Sequence, residues 1–194
     1  MIAQLVELGH KVAWKHEVKE IDSGDLAFFL SCGQIATPKI LKKHHHNLVV
    51  HESNLPEGKG WSPLTWQILE GKNEIPICLF EAQETVDSGK IYIKDTLKFK
   101  GAELVDELRH VQAMMTIEMC LKFVREYPEI VLKGQKQEGK SSYYKRRKPQ
   151  DSQLDMDKTI REQFNLLRVV DNEKYPAFFE VDGERFIFKI EKKA

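Results

Sequence analysis

Short apolar runs alternate with amphipathic stretches along this chain. Ile2, Leu5 and Val6 share one helical face, and Gly9 follows where a helix end turns left-handed. Lys11–His16 alternates, with Val12 and Trp14 on one side, and predicts a strand. Leu26–Leu30 and Asn47–His51 are short continuous apolar runs, as expected of strands buried on both faces. Thr37-Pro38 and Ser62-Pro63 each place a capping residue before a proline, so helices are expected through about Lys43 and Glu70. Glu74–Phe80 and Ile91–Phe99 read as strands joined by a polar loop around Asp87-Ser88-Gly89. Ala102–Tyr127 is the longest helix, with Leu104, Leu108, Val111, Met115, Met119 and Phe123 at helical spacing.

This alternation predicts an α/β fold with a mostly parallel sheet and a longer antiparallel excursion late in the domain. An α/β domain normally opens on a strand that feeds its first helix. This chain opens inside what reads as that helix, so the first strand is expected to be missing or to lie upstream of Met1. The catalytic unit is assigned to residues 1–132. Residues 133–158 turn polar and read as a surface linker. Residues 159–194 form a small extension: a helix at about Thr159–Val170, then strands Ala177–Val181 and Arg185–Ile190. Asp182-Gly183 between those strands is a hairpin signal.

Composition narrows the function classes. The 194 residues carry 30 Lys+Arg against 30 Asp+Glu. A balanced chain lacks the broad basic excess that phosphate-backbone binding needs, so no nucleic-acid partner is expected. No apolar run is long enough to span a bilayer, and the start lacks a signal-peptide pattern, so no membrane partner is expected either. Cys32, Cys78 and Cys120 are far apart and show no zinc or redox spacing. They read as buried, reduced thiols of a cytoplasmic protein.

Two stretches carry candidate chemistry. His51 ends a buried strand and is followed by a glycine-containing loop and a helix. Ligand sites of open α/β sheets gather at such strand ends, and a histidine there can act as general acid or base. It can equally be a histidine satisfied at a strand end with no role. Asp87 lies in the turn between the later strands. It is either an ordinary turn aspartate or, if close to His51, the carboxylate that orients the imidazole. His44-His45-His46 reads as a solvated helix-to-strand junction, since consecutive side chains point in different directions. No metal is expected. Lys140–Lys148 holds five positive charges in nine residues with Tyr143 and Tyr144 among them. Such a segment is either a solvated linker or a nucleotide site, with cations on phosphate and tyrosine on the base or sugar.

Taken in order, these stretches resemble the formyltransferase family. The resemblance rests on Val49-Val50-His51, Ser53-Asn54-Leu55-Pro56, Gly60, Pro63 and Gly71, then Asp87-Ser88-Gly89. Upstream, Cys32–Leu41 is similar to the family's folate-lining loop and helix. Tyr143–Ser152, Phe164–Val170 and Tyr175–Phe179 look like the tail of the sugar N-formyltransferases. The resemblance implies a Rossmann-like fold. It implies transfer of a formyl group from N10-formyltetrahydrofolate to the amino group of a nucleotide-linked amino sugar. Methionyl-tRNA formyl transfer, or a truncated homologue that binds without turnover, are the alternatives. It further implies folate on Gly33, Gln34, Ile35 and Ala36 and on Gln83, Glu84, Thr85 and Val86. The acceptor is expected near Lys59, Trp61, Tyr143, Tyr144, Lys145, Arg146 and Arg147. His51 would stabilise the oxyanion or move the amine proton, with Asp87 paired to it. A homodimer through the C-terminal region is also implied.

One position departs from the family pattern. Val49 stands where the family has an asparagine, on the same strand face as His51. The resemblance assigns that amide to the oxyanion, and loss of one such donor costs on the order of 10²–10³ in rate. Asn47 lies about 7 Å behind Val49, too far to replace it directly. Asn54, in the loop after His51, is the better substitute.

Overall fold

The computed structural model describes residues 1–193. Its sheet has four strands in the order β1-β2-β4-β5, and their ranges follow from the apolar runs. Strand β1 (Gly24–Phe29) pairs in parallel with β2 (His44–His51), and helix α2 (Pro38–Leu41) lies in the crossover between them. The α/β architecture is the expected one, and the sheet itself is mixed. Strand β2 runs antiparallel to β4 (Glu74–Glu81), and β4 antiparallel to β5 (Ile91–Lys98). The antiparallel excursion therefore supplies two of the three pairings.

Period-two alternation on β4 explains how the site and the core are kept apart. Ile75, Ile77 and Leu79 point to one face, where they pack with Leu48, Ile68, Leu97 and Phe123. Helix α4 (Val105–Arg125) covers that face through Leu108, Met119, Cys120 and Phe123, with Val111 and Met115 half-buried beside them. The alternate residues Cys78 and Phe80 point to the other face, against Leu55 and Ile91. Helix α3 (Pro63–Leu69) contributes Leu64 and Ile68 to the core.

Several expectations are corrected. Lys11–His16 is not a strand: it is irregular backbone, and Trp14 is 65% exposed. Its alternating pattern finds no neighbouring strand to pair with, and β1 is the sheet edge on that side. Consequently β1 is only partly buried. Ala27 and Phe29 pack on Val18 and Ile40, while Leu26 and Phe28 are half-covered by the main core. His44–His46 are the first residues of β2, not a junction. Alternation turns His46 onto Glu81, with Nδ1 and Oε2 2.9 Å apart, and leaves His45 exposed. Cys78 and Cys120 are buried as expected, but Cys32 is exposed.

The last third of the chain differs most from its polar composition. Helix α1 (Ile2–Glu7) opens the chain, β3 (Lys59–Gly60) follows β2, and α5 (Glu129–Leu132) follows α4. Residues 133–158, expected as a linker, then make specific contacts with the preceding chain. Strand β6 (Tyr143–Tyr144) pairs in parallel with β3. The helix expected from Thr159 begins only at Phe164, because turns occupy 159–163; α6 is Phe164–Val169. Strands β7 (Ala177–Val181) and β8 (Glu184–Phe188) form the expected hairpin. Asp182 and Gly183 both have positive φ, 50° and 83°, as a two-residue hairpin turn requires. Among the described residues no helix is long and apolar enough to cross a membrane.

Arg168 on α6 is 1% exposed and bonds Asn73, Asn165 and both the carbonyl and carboxylate of Glu103. Asp171 makes a second tie. Its carboxylate accepts from the Lys174 amide at 3.0 Å, from Arg109 Nη1 at 2.9 Å and from the Glu173 amide at 3.1 Å. Those bonds hold its carboxyl down at about 2, below the ordinary 3.8. A carboxyl depressed on folding stabilises the fold above its unfolded value and loses that contribution as pH falls through its folded value. Asp171→Asn should therefore lower the urea midpoint at pH 7, and the deficit should shrink between pH 4 and pH 2. A deficit of equal size at both ends would remove the carboxylate as its cause.

Candidate functional site

Strand β2 delivers His51 to the sheet face opposite α4, 6% exposed, with its ring edge-on to Phe80 at 6.5 Å. The chain then doubles back, so that the Gly58 carbonyl lies 2.8 Å from His51 Nε2. A carbonyl only accepts, so Nε2 carries the proton. Among the described residues Nδ1 has no hydrogen-bond partner, and it is not sealed from solvent. It is the ring nitrogen available to a ligand.

Asp87 belongs to the turn after β4 and has φ 51°, a left-handed conformation uncommon outside glycine. The expected direct His51–Asp87 bond is not formed. Asp87 Oδ2 instead accepts the Gly60 amide at 2.9 Å. His51 and Asp87 are thus tied to the two ends of one three-residue segment, Gly58–Gly60. A linear stretch of sequence cannot reveal that both side chains choose backbone partners over each other. Gly89 follows because a Cβ there would lie 1.7 Å from the Glu81 carbonyl oxygen.

Glu52 was not anticipated. It is 8% exposed and turns to the α4 side, where Oε1 accepts Gln112 Nε2 at 2.6 Å; its carbonyl accepts Gln67 Nε2 at 2.6 Å. Burial pushes its carboxyl above the usual range, against the hydrogen bond from Gln112 and the nearby His51, which pull it down. The only sequence signal was a charged residue directly after an apolar strand. Cys78 lies opposite His51 in the β2–β4 register, and burial raises its thiol to about 12. It stays protonated at neutral pH and is no nucleophile.

Asn54 is exposed, its carbonyl accepting the Glu57 amide, and no hydrogen bond joins its side chain to His51. Val49 packs among Ala27 and Phe29 on one side and Leu55, Cys78, Phe80 and Ile91 on the other.

The acceptor-side residues divide into two groups. Lys59 is buried with Nζ 5.9 Å from the Tyr143 ring centroid, and Arg146 stacks its guanidinium 4.8 Å over Trp61. Tyr143 and Trp61 are 68% and 39% exposed, so this surface faces solvent. The others are engaged within the chain. Tyr144 stacks on Trp66 and donates its hydroxyl to Glu70. Lys145 pairs with Asp151, and Arg147 donates to the Asp151 carbonyl. Burial lowers the Arg147 pKa while Asp151 raises it.

The two loops expected to hold folate flank α2. Gln83, Glu84 and Thr85 line a pocket of about 410 Å³ with Pro38, Leu41 and Lys42, within the size range of small-molecule sites. Val86 and Ile35 are exposed apolar side chains, Ala36 packs against the Val18–Ile40 cluster, and Gln34 Oε1 accepts the Val18 amide. The backbone groups of Gln83, Glu84 and Val86, and of Gly33, Ile35 and Ala36, have no protein hydrogen-bond partner among the described residues. Free main-chain donors and acceptors beside a pocket fit the edge of a pterin. Among the described residues no group of His, Cys, Asp and Glu is assembled that could hold a metal ion.

A family model described as formyl transferase matches residues 9–118, more than half of the chain. The chain belongs to the formyl transferase family. It is 30% identical over 115 residues to methionyl-tRNA formyltransferase of Rickettsia prowazekii, an alignment covering 59% of this chain and 38% of that protein. It spans about half the length of other curated relatives it matches. The structure is similar to a 4-N formyltransferase from Francisella tularensis, with TM-score 0.66, 21% identity, and coverage of 88% and 72% of the two chains. It is also similar to HypX from Aquifex aeolicus in complex with tetrahydrofolic acid, with TM-score 0.69, 16% identity, and coverage of 86% and 29%. These structural likenesses establish the Rossmann-like formyltransferase fold.

Gly60 tests the β3–β6 contact. Its φ is +95°, and a Cβ there would lie 2.5 Å from the Tyr144 carbonyl oxygen. Gly60→Ala should cost about 1–3 kcal/mol through overpacking and backbone strain. It should also separate Arg146 from Trp61, a change readable as a shift in tryptophan emission. Unchanged stability and emission would show that the two strands do not need this close approach.

Proposed function

We propose that this chain transfers a formyl group from N10-formyltetrahydrofolate to the amino group of a nucleotide-linked amino sugar. Residues 1–132 form the catalytic unit, and residues 159–194 a small C-terminal unit. The observation that carries the proposal is the docking of Tyr143–Arg147 onto the loop that His51 anchors. It gathers Trp61, Tyr143 and Arg146 into an exposed cationic and aromatic patch, with the buried Lys59 ammonium 5.9 Å from the Tyr143 ring centroid. Aromatic faces suit a base and cations suit a diphosphate. The likeness to a sugar N-formyltransferase from Shewanella supports a sugar as the acceptor.

The roles follow from the free atoms. The acceptor's amine nitrogen bonds to the formyl carbon, the bond from that carbon to N10 breaks, and the amine proton passes through Nδ1 of His51 to N10, which leaves as the secondary amine of tetrahydrofolate. Nε2 stays on Gly58, which fixes the ring. Asp87 holds the Gly60 end of the same segment and sets the local negative charge. Asn54 is assigned to the developing oxyanion in the absence of an amide at Val49. The main-chain groups of residues 33–36 and 83–86 bind the pterin.

A second proposal, formyl transfer to methionyl-tRNA, draws on the curated relatives of that name. The balanced charge of this chain disfavours it, since tRNA binding releases counterions from a broad basic surface.

The purified protein with N10-formyltetrahydrofolate should formylate nucleotide-linked amino sugars and leave methionyl-tRNA unmodified. Formylation of methionyl-tRNA alone would overturn the acceptor class, and no transfer to either would overturn the activity. His51→Ala should lower kcat on the order of 10²–10⁴ in protein that remains folded at the assay temperature. Trp61→Ala or Arg146→Ala should raise KM for the nucleotide sugar by roughly 2–30-fold, the range of a lost cation–π contact, and leave kcat nearly intact.

A further inference from the structure

Residues 135–144 fasten both halves of the site. At one end Gln135 forms an antiparallel bridge with Ile91, its amide and carbonyl 2.9 and 2.8 Å from their partners. Two residues on, Gln137 Nε2 donates to the Asp87 carbonyl at 3.1 Å and the Gly89 carbonyl at 2.9 Å. At the other end Ser142 Oγ accepts the Gly58 amide at 2.8 Å, and the Ser142 carbonyl accepts the Lys59 amide at 2.9 Å. Gly58 carries the carbonyl bonded to His51, and Gly60 carries the amide bonded to Asp87.

The Gln137 contact is the informative one. The Asp87 turn needs an unfavourable left-handed φ at a non-glycine residue, which persists only where the surroundings enforce it. Gln137 supplies that enforcement: both hydrogens of one amide group bridge carbonyls on either side of Ser88. A primary amide is the neutral side-chain group that can donate twice from one nitrogen. A carboxylate of the same shape would present only acceptors to those carbonyls. The Gln137 Oε1 atom is buried without a partner, so the side chain holds this orientation for its nitrogen and not for its oxygen.

We infer that Gln137 is a positioning residue for Asp87, clasping the 87–89 turn so that the Asp87 carboxylate stays on the Gly60 amide. The inference rests on the proposed formyl transfer for its kinetic readout alone. Gln137→Ala and the isosteric Gln137→Glu would be compared with the unaltered chain by amide hydrogen exchange and by kinetics. In both variants the Gly60 amide should exchange at least about tenfold faster, while the core amide of Leu79 is unchanged. Both should lose about tenfold or more in kcat, in keeping with the sensitivity of rate to small misplacements, with KM for both substrates unaltered. Equal loss in the alanine and the glutamate variants identifies the two donated hydrogen bonds, not side-chain volume, as the cause. An unchanged Gly60 exchange rate overturns the clasp, and faster exchange with unaltered kcat overturns its importance for Asp87. Failure of the unaltered chain to transfer formyl to any acceptor would count against the function, while the exchange measurement would still decide the clasp.

Discussion

The pairing of two residues of β3 with two of β6 is the constraint on which the rest of the site depends. It allows a polar segment from the far side of α4 to reach the loop after His51. Close backbone approach makes it feasible: Gly60 lies where a Cβ would meet the Tyr144 carbonyl, and Gly58 where a Cβ would meet the Tyr144 ring. Once the strands are paired, the Gly58–Gly60 segment is held from outside by Ser142, on the Gly58 and Lys59 amides, and by the Tyr144 carbonyl, on the Trp61 amide. From inside it is held by His51 and Asp87. The segment acts as a rigid spacer between a histidine and a carboxylate that do not touch.

That arrangement has an electrostatic consequence. A histidine bonded directly to an aspartate has one ring nitrogen fixed as donor to a charge. Here the fixed nitrogen donates to the neutral Gly58 carbonyl. The carboxyl next in sequence, Glu52, faces the α4 side and is tied to Gln112. Its burial favours the neutral form, which weakens its pull on the imidazole.

Much of the fold was legible because burial writes itself into apolar runs. Strands β2, β4 and β5 and helix α4 all have a core face, and their limits follow from it. The Asp182-Gly183 turn was legible for a local steric reason. Lys11–His16 misled because alternation describes a strand only if a neighbour exists to accept it. Residues 133–158 misled in the opposite sense. Their bonds to the site are main-chain or amide bonds, from Gln135, Gln137, Ser142 and Tyr144, and leave no hydrophobic signature. His51 and Asp87 stood out by residue type and position. Glu52 and Gln137 did not, since each takes its part from a partner more than forty residues away.

Val49 ties these levels together. It forms part of an apolar floor with Leu55, Cys78, Phe80 and Ile91, on the face where His51 emerges. An amide in that half-buried place would lie against apolar side chains and the weakly polar Cys78 thiol, which offer it little hydrogen bonding. Valine instead completes the packing under the imidazole and leaves the donor role to groups above the floor. In the proposed reading these are groups of the exposed loop that carries Asn54, beside the accepting Nδ1 of His51. On that reading, Val49 thus moves the polar part of the site from the strand to the loop. That loop is held by Gly58–Gly60 and, through it, by the strap from 135 to 144. In this chain the strap does for the site what a second polar strand residue would otherwise do: it fixes where the charge and the hydrogen-bond donors stand.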